Sequence, residues 1–429
     1  MHQFFKSTFF NFETIRIVGT APFGGADIAE ALDAIGQIRD KDPLSWHSAW
    51  TEAAERAERI GEEASAAGNR DEARRAFLRC SNYWRASGYM FNNRPQSPDS
   101  RVTTIARRVI QSFQRATRLM DCQVKFLEIP YQQHKLPGYL YLPPINKRLK
   151  GKIPILLNTG GADSIQEELY YVYGASGPNL GYAVVTFEGP GQGIVLREQK
   201  LHMRPDWEVV VGNVLDHLNE ISERHPELEL DLDRVAITGA SMGAYYALRA
   251  AADPRIKACV SIDPFYDMFD FATAHSPQAL IEGWSRGWIS DGFVDTLFAC
   301  LTHLDFQTKW ELDLTSWFFG VERPSQILKE MKKYTLRERS LQGKTSFLKN
   351  VHCPVLVSGA AHSLYLDATH TMQVYYNLSN QNESNKKVWI PEAPGDGGLQ
   401  AKVGAFGIST LKTFEFLDNI FDINRTNST

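Results

Sequence analysis

A chain of 429 residues is too long for one small domain and predicts two or three regions that each bury a core. Hydrophobic residues make up 43% and charged residues 22%, as in ordinary globular proteins, and the net charge of −4 argues against nucleic acid or an anionic membrane surface as partner. The partner is therefore expected to be a small molecule. The 5 cysteines are scattered and lack C-x-x-C spacing, so neither a disulfide framework nor a metal site is predicted, and a cytoplasmic location fits best.

The N-terminal part of the chain has the pattern of helices. Apolar residues recur three and four positions apart between residues 27 and 121, with breaks at Pro43 and Gly68. A tetratricopeptide-like pair around Trp46 and Trp50 is the alternative, but no repeat of fixed period accompanies it. Residues 1–121 are therefore predicted to form a helical cap. No apolar run approaches the roughly 18 residues of a membrane-spanning helix, and no signal peptide is predicted.

From residue 122 the pattern changes to strands separated by helix-length segments, which is typical of a buried, mostly parallel sheet with helices on both faces. The sequence thus predicts an α/β class, with a core formed by residues 122–264 and 351–429. The predicted strands cover residues 124–130, 136–142, 153–157, 182–187, 235–238, 258–262, 354–358 and 387–390.

Residues 265–350 lack the strand pattern and are rich in tryptophan and phenylalanine. We predict a helical lid inserted into the core. Its aromatic residues either form the core of the lid itself or form a wall that faces the substrate. Both interpretations can hold, for different faces of the lid.

The motif Gly239-Ala-Ser241-Met-Gly243 stands between a predicted strand and a predicted helix. This G-x-S-x-G context is a nucleophile elbow, which predicts an α/β-hydrolase fold. Glycines permit the sharp turn, Ser241 becomes the candidate catalytic residue, and the N–H of Met242 becomes one oxyanion-hole donor.

A glycine pair follows the third predicted strand, in Asn158-Thr-Gly-Gly-Ala-Asp-Ser164. Backbone N–H groups at Gly160 and Gly161 are predicted to complete the oxyanion hole, with Asp163 as a substrate contact. The alternative is a plain turn in which Asp163 caps a helix.

The general base that a serine nucleophile needs is the open question. His362 stands after strand 354–358, where an acid would be ordinary, and no histidine follows His370. Either His362 reaches Ser241 from the neighbouring strand end, oriented by Asp263, Asp267 or Asp367, or Ser241 acts only as a hydrogen-bond donor or a structural residue.

Arg204-Pro-Asp-Trp-Glu208 is predicted to open a helix, with its acidic residues at the positive helix end. Asp206 and Trp207 are therefore capping residues in one interpretation and substrate-binding residues in the other.

These motifs together resemble the α/β-hydrolases related to 2,6-dihydroxypseudooxynicotine hydrolase and to the fungal polyketide-shortening hydrolases of melanin synthesis. The segments 4–13, 21–27 and 397–407 resemble, more specifically, the fusarin and cytochalasan type hydrolases of fungal hybrid polyketide synthase–peptide synthetase pathways. The resemblance implies a biosynthetic enzyme that acts on a polyketide–amino acid aldehyde, ester or lactam. His362 and Gln400 depart from the Asp and His of the wider hydrolases.

Three functions remain open from the sequence. The first is ring closure by Knoevenagel or aldol condensation or by lactam formation, with acid–base groups and an oxyanion hole. The second is a serine hydrolase or thioesterase that uses His362, and the third is a non-catalytic ligand-binding protein. No cofactor or metal is predicted, and a homodimer is a further expectation.

Overall fold

A computed structural model describes residues 2–94, 99–274, 276–340, 343–365, 367–378 and 382–425. Its N-terminal part is helical. The helices are α1 (Thr8–Val18), α2 (Ile28–Gln37), α3 (Pro43–Ala66), α4 (Arg70–Gly88) and α5 (Ser100–Thr117). Side-chain caps fix several starts: Asp27 accepts from the N–H of Ala29, and Asp42 accepts from Leu44 beside a proline at the first helical position.

An eight-stranded sheet forms the core, in the order β1-β2-β4-β3-β5-β6-β9-β10. The pairs β1–β2 and β2–β4 are antiparallel, and the remaining pairs are parallel. The strands are β1 (Gln123–Tyr131), β2 (His134–Leu142), β3 (Ile153–Thr159), β4 (Ala183–Phe187), β5 (Leu230–Ala240), β6 (Ile256–Ile262), a separate hairpin of β7 (Arg337–Ser340) and β8 (Gly343–Ser346), then β9 (Val355–Ser358) and β10 (Lys386–Trp389).

The remaining helices cover the sheet or form the inserted segment. They are α6 (Gln166–Leu169), α7 (Trp207–Arg224), α8 (Met242–Ala250), the inserted α9 (Met268–Thr273), α10 (Gln278–Ser285), α11 (Asp291–Leu304), α12 (Phe306–Phe319) and α13 (Pro324–Met331), then α14 (Ala368–Asn377) and α15 (Phe406–Ile420). The predicted α/β-hydrolase fold, with its mostly parallel sheet, is confirmed.

Burial on both faces explains why the first five residues of β3 are apolar. Ile155 and Leu157 of β3 pack into the cluster that contains α7 and α8, whereas Leu156 packs into the cluster on the opposite face. The strand is buried along its whole length, and its two polar residues, Asn158 and Thr159, lie at its end.

The inserted helices join the cap to the core. Trp310 of α12 packs into the N-terminal cluster, whereas Trp317 and Phe319 of the same helix pack into the core cluster. The aromatic residues of this segment therefore form packing contacts on two sides. Within the described part of the chain, no helix is long and apolar enough to cross a membrane.

Candidate active site

Ser241 stands on a strained turn between β5 and α8, with φ 57° and ψ −117°. Its N–H donates to the carbonyl of Ile262 at the end of β6, 2.9 Å away. A Cβ on Gly239 would lie 2.2 Å from the carbonyl oxygen of Gly243, and a Cβ on Gly243 would lie 2.6 Å from the carbonyl oxygen of Thr159. Both motif positions thus require glycine for close backbone approach.

The loop after β3 lies directly above this turn. A Cβ on Gly161 would lie 3.3 Å from the carbonyl oxygen of Ala240, and the Gly161 N–H donates to Ser164 Oγ at 3.3 Å. Gln192 Nε2 donates to the carbonyls of Gly160 at 2.7 Å and Gly161 at 3.1 Å. The glycine pair is therefore held beside the elbow by Gln192, a residue to which the sequence analysis assigned no role.

Gln192 belongs to the turn Glu188-Gly-Pro-Gly-Gln-Gly193, which a buried carboxylate organises. Glu188 accepts from the backbone N–H groups of Gln166 at 3.2 Å and Ile194 at 2.6 Å. A Cβ at position 193 would lie 1.9 Å from this carboxylate, so only glycine fits there. The turn braces the loop above the elbow.

Asp163 at the end of that loop is held from the N-terminal helices. Arg16 of α1 donates to its carboxylate at 2.5 Å, and the hydroxyl of Tyr89 lies 2.6 Å from the same oxygen. Arg16 also pairs with Glu168 at 2.6 Å. Burial acts to raise the pKa of Asp163, but Arg16 and Tyr89 outweigh burial and hold the pKa below its ordinary value. The cap thereby fixes the position of the predicted substrate contact.

The structure places His362 on an exposed turn. Its backbone N–H donates to the carbonyl of Gly398 at 2.8 Å, but among the described residues its ring has no hydrogen bond to Ser241. The neighbouring Ser363 donates through its hydroxyl to Gln400 Oε1. Gln400 is buried, and its Nε2 has no hydrogen-bond partner within the described ranges. The loop after β10 thus carries a buried amide and no histidine.

Asp263 and Lys402 form a buried ion pair that the sequence analysis missed. Lys402 Nζ lies 2.9 Å from Asp263 Oδ1 and donates to the carbonyl of Gly359 at 2.6 Å, while the N–H of Ala401 donates to Asp263 Oδ2 at 2.6 Å. Burial lowers the pKa of Lys402 and raises that of Asp263, although each partner opposes the shift of the other. Asp263 is thus committed to Lys402 and not to a histidine.

The helix-opening segment occupies a packed position. Trp207 is fully buried, stacks on Tyr246 with ring centroids 3.8 Å apart, and donates from Nε1 to Thr159 Oγ1 at 3.0 Å. Asp206 pairs with Arg204, with 2.6 Å between Oδ2 and Nη2. Both residues therefore make structural contacts, and Trp207 supports the end of β3 from below the site.

A cavity of about 70 Å³ adjoins the loop above the elbow. Helices α4 and α5, helix α12 and the turn containing Gly191 and Gly193 surround it, and Ala162, Asp163 and Ser164 form its border on the core. Ser241 is not among the lining residues. The cavity is the space that the cap, the inserted helices and the core enclose beside the catalytic edge of the sheet.

Comparison with known proteins agrees with this architecture. The family model of FrsA-like esterases matches residues 32–279, more than half of the chain. The chain belongs to this α/β-hydrolase family. Among curated proteins, "Hydrolyase ccsE" of Aspergillus clavatus is 55% identical over 434 residues, covering 99% of each chain. "Alpha/beta hydrolase psoB" of Aspergillus fumigatus is 51% identical over 429 residues, covering 99% of this chain and 96% of that one.

The solved structure of 2,6-dihydroxy-pseudo-oxynicotine hydrolase has the same fold, with a TM-score of 0.68, 17% identity and 95% of each chain covered. The resemblance to fungal hydrolases is thereby confirmed, as is the expectation of an α/β-hydrolase-type enzyme. Within the described residues, no group of three or more potential metal-ligating side chains is present.

Proposed function

We propose that this protein is a fungal biosynthetic enzyme that closes a ring in a polyketide–amino acid intermediate, by Knoevenagel or aldol condensation or by lactam formation. The observation that carries the proposal is that the loop after β10 holds a buried glutamine, Gln400, and no histidine. An amide accepts no proton at neutral pH, so it cannot activate a serine hydroxyl. The elbow and the glycine loop are nevertheless retained. Such a site suits a reaction that needs oxyanion stabilisation without a serine nucleophile.

The elbow supplies donors for a developing oxyanion. The N–H of Met242 is among the first N–H groups of α8, which have no acceptor within the helix, and the helix dipole favours negative charge there. The N–H of Gly161 donates to Ser164 Oγ. A substrate oxygen would either displace this hydroxyl group from the N–H or accept a hydrogen bond from the hydroxyl group itself. In this proposal Ser241 donates a hydrogen bond to the oxygen that becomes an enolate or alkoxide.

A further feature that supports the proposal is the pairing of Asp263 with Lys402 instead of with a histidine. Lys402 binds Asp263 within the buried end of the sheet. Burial lowers the pKa of Lys402, and the neighbouring carboxylate opposes that shift by stabilising the ammonium form. We place the reaction in the cytoplasm, and the five free cysteines agree with a reducing compartment.

The test compares Ser241→Ala with the wild-type protein on a synthetic amino-ketoaldehyde. We expect a loss of turnover of about tenfold, because one hydrogen-bond donor is removed and the backbone donors remain. Wild-type protein should resist labelling by a fluorophosphonate. Labelling of Ser241, together with a loss of turnover by several orders of magnitude, would contradict the proposal.

A serine hydrolase or thioesterase with His362 as base is the second candidate. It is favoured by the position of His362, whose backbone is bonded to the Gly398 carbonyl in the loop that carries Gln400. Under this hypothesis His362→Ala removes activity and fluorophosphonate labelling together. Unchanged turnover in His362→Ala excludes it and leaves the condensation.

A further inference from the structure

Two arginines with unused N–H groups line the cavity beside the glycine loop. Arg85 of α4 donates from Nε to Asn82 and pairs through Nη1 with Glu168 at 3.3 Å, but its buried Nη2 has no hydrogen-bond partner among the described residues. Its side chain is only 7% exposed. An unpaired buried N–H is costly, which indicates that a ligand or water completes the site.

Arg197 approaches the cavity from the turn on the core. Its Nη1 donates to the carbonyl of Gly193 at 2.7 Å, and its guanidinium lies over the ring of Trp317 with the centroid 5.0 Å away. The Nε atom is buried and lacks a partner in the described part of the chain. The cap and the core therefore each contribute one guanidinium with a free donor.

Neighbouring carboxylates balance the charge around Arg85. Arg16 and Arg85 are matched by Asp163 and Glu168, which they contact directly. Burial raises the pKa of Glu13 to about 7, so this carboxyl group is about half ionised at neutral pH and adds part of a negative charge. The Arg85 side of the cavity is thus close to neutral.

Arg197 is balanced in the same way. Burial lowers its pKa, and the carboxylates of Glu188 and Glu167 oppose that shift. Burial raises the pKa of Glu167 to about 8, with the neighbouring Glu188 adding to the effect. Carboxyl groups therefore lie near both guanidinium groups of the cavity.

The other walls are apolar and aromatic, contributed by Tyr89, Phe91, Leu196, Trp310, Leu314 and Trp317. A space of about 70 Å³ holds a few water molecules or one small functional group. A full anion would meet these walls without a compensating field, whereas a neutral acceptor oxygen would be satisfied by the free donors.

We propose that Arg85 and Arg197 form a binding site for a neutral carbonyl group, a ketone or amide oxygen of the substrate, whose apolar flank contacts the aromatic wall. The assignment of this carbonyl to the substrate rests on the proposed function. The binding itself does not, because the site is built from residues outside the elbow.

The test is a ¹⁹F NMR titration of the full-length protein with N-methyltrifluoroacetamide, and separately with trifluoroacetate. We expect saturable millimolar binding of the amide, since a ligand of so few atoms cannot bind tightly. Trifluoroacetate should bind no more tightly. Arg197→Met, which removes the guanidinium group but retains an unbranched aliphatic stem, should weaken amide binding at least fivefold.

Two further variants separate this site from others. Arg107→Gln removes an exposed arginine that pairs with Glu198 and should bind the amide like the wild type. Ala106→Leu fills the cavity while leaving both arginines intact and should abolish binding, which keeps the proposal testable if Arg197→Met does not fold. Undiminished binding in Ala106→Leu or Arg197→Met, or tighter binding of trifluoroacetate, would overturn the proposal. Ser241→Ala should bind the amide normally, so the result is independent of the catalytic proposal.

Discussion

The variant Glu13→Gln tests the electrostatics that join α1 to the catalytic loop. Burial raises the pKa of Glu13 from 4.5 to about 7, against the opposing influence of Arg16. Between these two pH values the unfolded chain loses the proton and the folded protein keeps it. Stability therefore falls as pH rises from 4.5 to about 7 and is constant above, because a raised carboxyl pKa disfavours the ionised folded state.

The size of the effect follows from the shift. A change of one pKa unit corresponds to about 1.4 kcal/mol. Ionisation of Glu13 therefore lowers the free energy of unfolding by about 3 kcal/mol as the pH rises from 4.5 to about 7. Glutamine is neutral throughout and keeps a polar group at the position of Glu13 Oε1, which lies 3.1 Å from the hydroxyl oxygen of Tyr89. Relative to wild type, Glu13→Gln should thus gain up to about 3 kcal/mol in free energy of unfolding between pH 5 and pH 8.

Urea denaturation of both proteins at these two pH values measures the difference. The control is Glu62→Gln, an exposed position on α3, for which the wild-type and variant curves should remain parallel. Equal pH dependence of wild type and Glu13→Gln would refute the reasoning, because it would show that Glu13 titrates alike in the folded and unfolded states.

Two other substitutions follow from the site. Gln192→Ala should reduce turnover about tenfold or more with little change in fold, since the carbonyls of Gly160 and Gly161 lose the donor that positions their loop. Steady-state kinetics measures the change in turnover, and thermal melting measures the change in stability. Lys402→Met should destabilise the protein by about 3–5 kcal/mol, because Asp263 is left as an unpaired buried carboxylate. The double variant with Asp263→Asn should recover much of that loss in the same denaturation assay, and a loss no smaller than in Lys402→Met would contradict the ion-pair explanation.

The fold was predictable because its signals are local. Apolar runs such as residues 153–157 lie within single strands. The elbow around Ser241 is a contiguous motif, and its glycines are required by backbone atoms a few ångströms away. The position of the loop after β3 beside the elbow was likewise indicated by two adjacent glycines. These features require no knowledge of distant residues.

The supports of the site were not predictable in this way. Arg16 and Asp163 are separated by 147 positions, and Asp263 and Lys402 by 139, so no sequence period links them. The sequence left Trp207 with two interpretations, a residue of the helix start and a substrate contact, and the fold buries it against Tyr246. The roles of Gln192 and Arg197 depend on the turn that brings them to the cavity.

The ion pair between Asp263 and Lys402 also bears on how this protein could change its chemistry. Gln400→His alone would place an imidazole next along the chain to Ala401, while Asp263 already binds the Ala401 N–H and the ammonium group of Lys402. The new ring would lack an acidic partner to orient it, and Lys402 would oppose its protonation. Serine hydrolysis with a histidine at position 400 would thus need a second substitution that releases Asp263 from Lys402. The buried pair therefore anchors residues 401 and 402 to the ends of β6 and β9 and fixes the chemistry that this loop can support.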